Sequence, residues 1–181
     1  MSYSPEEASA SLQAVDAMEQ RAKTLRGYEQ VAPYLFLWGI IWIVGYSASD
    51  VYPHRAGAIW LALNMLGVFA DLVVGQRMQI SGSYRSRYLA VVISAFLFAG
   101  ATYFVMRPTS AQQLNAFPAL LVSFVYILMG IQRGARLAIA GIALAMLTLL
   151  GFTLMQEHFA LWMASVGGTT LLLTGFWLRR I

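Results

Sequence analysis

The chain has 181 residues, 59% of them hydrophobic and only 11% charged, with a formal net charge of +4. A soluble domain of this size carries roughly 25% charged residues, so a water-soluble core is excluded as the main architecture and the bilayer becomes the expected solvent. The basic balance does not indicate nucleic acid, because the Lys and Arg residues gather at the ends of hydrophobic runs, and the absence of cysteine removes disulfides, thiolate metal sites and cysteine catalysis.

Residues 4–29 read as an amphipathic helix. Ser4, Pro5 and Glu7 fit an N-cap, a first-turn proline and a capping-box partner. Ala8, Leu12, Val15, Met18, Ala22 and Leu25 recur at three- and four-residue spacing and so share one face. Acids lie early and bases late, which matches the helix dipole. The segment holds five acids against three bases, unlike the Lys/Arg-rich helices that bind anionic lipid. Its apolar face is therefore expected to pack on the chain's own bundle, to lie at the membrane surface, or to dock a cytosolic partner or a second copy through Leu12, Val15, Met18 and Leu25. These first thirty residues are too polar for a cleavable signal peptide, so the first hydrophobic span should itself direct insertion.

Six hydrophobic spans follow, at about residues 31–49, 55–76, 88–106, 114–131, 137–155 and 159–178. The first has Pro33 near its start and a Trp38, Trp42, Tyr46 stripe at spacing four, a pattern of core packing, lipid contact or interface anchoring. Arg107-Pro108 ends the third, and Ser110 with Gln113 forms a second capping-box pattern. Pro118 falls inside the fourth span. Ten Lys and Arg residues lie on the side of the termini and two, Arg55 and Arg107, on the other. That asymmetry predicts both termini in the cytosol of an inner-membrane protein. The chain thus reads as all-α and polytopic. A cytosolic amphipathic helix occupies residues 1–30 and a six-transmembrane-helix bundle residues 31–181. The ends of the second and fourth spans, VFADLVVGQR and FVYILMGIQR, are faintly alike, as a repeated hairpin or shared topology would make them.

Asp71 is the single formally charged residue inside a span. It shares a face with Asn64, Gly67 and Gly75, and such a face is expected to meet other helices. The helical rise places Asp71 about 9 Å from Arg77, near the cytosolic interface. A structural tie to Arg85, Arg133 or Arg136 is expected there, with a proton, cation or switch site as the functional alternative. Gly167, Gly168, Thr169 and Thr170 lie mid-span in the sixth helix. They allow close packing or, alternatively, a locally unwound solute site. Asp50 with His54 and Glu157 with His158 share the outer side, where a divalent metal could join them. No paired carboxylates, HExxH, GxSxG or phosphate-binding glycine loop is present, so no enzymatic activity and no cofactor are expected. The leading expectation is a signalling or accessory membrane protein whose bundle senses a ligand and whose N-terminal helix contacts a cytosolic protein. The alternative is a small transporter, channel or solute-binding subunit, oligomeric, whose path is lined by Asn64, Asp71 and Gly167–Thr170.

Overall fold

The computed structural model describes residues 5–77 and 82–180. The described chain is almost wholly helical and contains no strand. Six of its helical stretches are long and apolar enough to cross a membrane, as the hydropathy pattern predicts. Helix α1 covers Pro5–Val51, and a short 3-10 turn, Pro53–Arg55, leads into α2, Ala56–Arg77. Helices α3, α4 and α5 cover Gly82–Met106, Ala111–Arg133 and Ala135–Leu154. The sixth span is α6 (Phe159–Trp162), a π-helical segment at Met163–Gly167, and α7 (Gly168–Arg179).

The expected boundary between an N-terminal helix and a first span is not a structural break. Both belong to α1, a single helix of 47 residues. At about 1.5 Å per residue it is roughly 70 Å long, more than twice the roughly 30 Å of a hydrocarbon core. From Tyr28 onward one side of it joins the buried core, with Ile40, Val44 and Val51 on its exposed side, whereas Leu12, Val15 and Met18 stand exposed. The sequence has no helix breaker between Pro5 and Gly27, and Gly27 alone does not stop a helix that tertiary contacts hold on its far side. The first-turn cap expected at Ser4 lies outside the described residues.

Around α1 the bundle is built by glycines that admit neighbouring helices. The helix packs most broadly on the sixth span and next on α2. A Cβ on Gly39 would meet Leu172 Cδ2 at 2.8 Å and the Gly168 carbonyl oxygen at 3.1 Å, so the two backbones touch at that pair. Helices α4 and α5 form the other close pair. A Cβ on Gly141 would come within 2.6 Å of the Ser123 carbonyl oxygen. Their connection is a tight turn in which Gly134 takes φ +136, a backbone region that favours glycine. Gly134 also rests against the Tyr28 hydroxyl and the Thr24 methyl of α1. Small residues carry these contacts because they let two helix backbones approach to van der Waals distance.

Helix α3 is the exception. None of its apolar window, Leu89–Met106, is buried, against 44% of the window in the sixth span. It meets α4 near one end, where Tyr103 and Phe117 lie edge to face at 5.3 Å. Arg107, at φ 44, closes it where Pro108 disfavours a right-handed helical residue. The capping box of α4 is formed as its sequence predicts: Gln113 N–H donates to Ser110 Oγ at 3.2 Å, and Ser110 N–H to Gln113 Oε1 at 3.4 Å.

Pro118 lies inside α4 without ending it. A proline has no N–H, so the carbonyl four residues back loses its helical donor. That carbonyl belongs to Leu114, and the Tyr103 hydroxyl donates to it at 2.7 Å. The Tyr46 hydroxyl of α1 donates to the adjacent Asn115 carbonyl at 2.9 Å. Neighbouring helices thus supply donors to the backbone around Pro118.

Candidate functional site

The polar face of α2 sits directly on α1. Space beside Gly67 is filled by Ile41 Cδ1 and Trp38 Cη2, which a Cβ would meet at 2.8 and 3.0 Å, and the Tyr34 hydroxyl lies 3.3 Å from the corresponding point at Gly75. The register is antiparallel, with Trp38 and Ile41 of α1 matched to Asp71 and Gly67 of α2. Asp71, between the two glycines, is 2% exposed. It accepts a hydrogen bond on Oδ2 from the Trp38 indole N–H at 3.0 Å. The Tyr126 hydroxyl of α4 lies within electrostatic range of the same carboxyl. One acid and one indole donor therefore meet where α1 and α2 pack, with a phenol of α4 in electrostatic range.

The arginines expected at Asp71 divide differently. The side chains of Arg85 and Arg133 lie outside the described residues. Arg136 is turned elsewhere: its Nη1 donates to the Trp177 carbonyl at 3.0 Å, and its guanidinium lies 5.1 Å over the Trp177 ring. It starts α5 beside the end of α7, where the last-turn carbonyls attract a cation. Trp38 is the partner that the pattern of charges could not show. The Trp38, Trp42, Tyr46 stripe did signal packing, and Trp42 and Tyr46 are both buried in the core. An indole can only donate, so a span with a buried acid and a neighbouring span with a Trp at matching depth are natural partners.

The other expected path residues do not join Asp71. The Asn64 carboxamide donates to the Trp60 carbonyl of its own helix at 2.7 Å. Gly167 and Gly168 face α1, where Trp42 and Ile43 occupy the space their side chains would need. Thr169 is exposed, and its hydroxyl donates to the Ser165 and Val166 carbonyls one turn back. The glycine pair thus serves close packing, although the π-helical turn at Met163–Gly167 departs from regular helix immediately before it. On the opposite end, Asp50, His54, Glu157 and His158 are all exposed. Among the described residues no group of three or more His, Asp or Glu side chains is gathered to hold a metal. The two acid–histidine pairs sit on separate turns, α1–α2 and α5–α6, and packing does not close them onto one point.

The residues expected to meet a partner protein are available to one. Leu12, Val15, Met18 and Leu25 are 67%, 52%, 71% and 37% exposed. At the base of this arm Gln20, Arg21, Thr24 and Leu25 border a shallow concavity. The arm carries one ion pair within itself, Lys23 Nζ to Glu19 Oε2 at 3.3 Å.

No known family, curated protein or solved structure matches this chain.

Proposed function

We propose that this is a non-enzymatic, multi-pass protein of a bacterial inner membrane, with both termini in the cytosol, that acts as a sensing or accessory subunit. Its N-terminal arm docks a cytosolic protein, and its bundle controls how that arm is presented. The carrying observation is the continuity of α1: the helix that exposes Leu12, Val15 and Met18 is also the helix that Trp38 fastens to Asp71. A ligand or proton that loosens this hydrogen bond changes the seating of α1, and a continuous helix transmits that change to its far end. Coupling runs through Trp38 and the α1 backbone. Continuity also disfavours an arm lying flat on the lipid surface, because such an arm needs a sharp bend near Gly27.

Capture of cytosolic proteins on the membrane-embedded full chain tests this reading. Removal of residues 1–20, which leaves Thr24 and Tyr28 in place, should abolish specific capture while the bundle remains folded. An unchanged set of captured proteins would overturn the docking role.

The π-helical turn before Gly167 favours a second reading, a small transporter, channel or solute-binding subunit, since such turns recur at functional sites. Reconstituted vesicles decide between the two. Flux abolished by Asp71→Asn supports transport, and its absence across ions and small solutes supports the sensing subunit.

A further inference from the structure

Arg136 lies in the first turn of α5, Trp177 in the last turn of α7, and Arg180 immediately after α7. Arg136 is held in place twice, by donating to the Trp177 carbonyl at 3.0 Å and by lying 5.1 Å over the Trp177 ring. These contacts use one of its five N–H donors and leave the rest of the fork available. Among the described residues no carboxylate forms an ion pair with Arg136 or Arg180. One guanidinium fixed on Trp177 and a second, exposed one just beyond α7, with no ion-paired carboxylate among the described residues, call for an external anion.

The surroundings select which anion. Trp177 is 40% exposed, and in an embedded bundle the last turn of α7 would suit an interfacial indole. One turn deeper, Ile139 on α5 and Leu173 on α7 are 53% and 67% exposed. A cationic rim above an apolar groove matches a molecule with an anionic head and acyl chains. We infer that the α5–α7 groove binds an anionic phospholipid, with its phosphate on Arg136 and Arg180 and its chains along Ile139 and Leu173. This site rests on the reading of the bundle as membrane-embedded but not on the docking role of the arm. Arg pairs with phosphate through two parallel N–H donors, and basic sites between spans on the cytoplasmic side recur as anionic-lipid sites.

Titration of the detergent-purified full chain with dioleoyl phosphatidylglycerol, read by native mass spectrometry, tests the site against dioleoyl phosphatidylcholine. The anionic lipid should bind roughly tenfold tighter or more. Each of Arg136→Gln and Arg180→Gln should weaken it about fivefold, from about 1 kcal/mol per interfacial arginine. Arg107→Gln, at the opposite end, should leave binding unchanged. Equal affinity for the two lipids, or equal losses with Arg107→Gln, would overturn the site. Full competition by millimolar inorganic phosphate would overturn the lipid as occupant. If Arg136→Gln fails to fold, the exposed Arg180 decides the matter alone. Carbonate-resistant sedimentation with membranes separately tests the embedded reading: a chain that sediments yet shows no lipid preference loses only the groove.

Discussion

The part-buried Trp38 indole N–H donates to the buried Asp71 carboxylate, so removing either group withdraws a hydrogen bond from the α1–α2 interface. Trp38→Phe should destabilise the protein by about 1–3 kcal/mol, the usual range for a hydrogen bond to a charged group, read as a lower midpoint in detergent melting. Asp71→Asn keeps an acceptor oxygen for the indole and removes only the charge, so it should retain more stability than Asp71→Ala. If Asn and Ala prove equally damaging, the charge and not the hydrogen bond holds α2 to α1. The Tyr103 hydroxyl carries a sharper expectation, because it answers the carbonyl that Pro118 leaves without a donor. Tyr103→Phe should cost about 0.5–1.5 kcal/mol. In a Pro118→Ala background, where residue 118 regains its N–H, that cost should largely vanish. A double-mutant cycle reads the coupling directly, and independent effects would show that the hydroxyl has another role. Pro118 is plain in the sequence, but its remedy is not: which donor answers it depends on the depth and azimuth of two other helices.

Helix α1 joins two chemistries that the sequence separates by composition. Residues before Gly27 are mostly exposed, and from Tyr28 onward the helix carries much of the buried core. Periodicity showed the apolar arm and hydropathy showed the span. Neither reports whether the backbone bends between them, and α1 runs unbroken from Pro5 to Val51. Continuity fixes the direction in which Leu12, Val15 and Met18 face, since each added residue turns a helix by about 100°. If the arm works by presenting this stripe at a set angle to the bundle, one alanine inserted after Gln20 should abolish partner capture. Insertion of seven residues, close to two full turns, should restore most of it. Equal capture by both insertions would show that the arm acts as a flexible tether. Because the chain contains no cysteine, single labels at Val15 and Met18 can report the same rotation without background.

Across the whole molecule, packing is uneven in a way that hydropathy conceals. All six spans read alike by composition, with mean hydropathies of 1.4 to 2.3, which is why their number and order were legible. Their neighbours were not, because a bilayer accepts an apolar side chain on any face and leaves little amphipathic signal to mark the inside. The glycines gave the best available clue: Gly39, Gly67, Gly141 and Gly168 all lie at close helix contacts. Gly100 in α3 looks similar in sequence and has nothing within 4 Å of its Cβ position. In the proposed membrane setting the energetic consequence differs from that of a soluble core: lipid and protein interior solvate a leucine about equally, so burial contributes mainly through packing. Leu144 of α5, 0% exposed, touches protein on all sides, whereas Leu97 of α3, 69% exposed, faces the surroundings of the bundle. Leu144→Ala should therefore cost about 1–3 kcal/mol, mostly the cavity part of the usual large-to-small penalty, while Leu97→Ala should fall within about 0.5 kcal/mol of the parent. Melting of both variants in a matched detergent measures the difference. A large loss at Leu97 would show that α3 is packed in the membrane against something the monomer lacks.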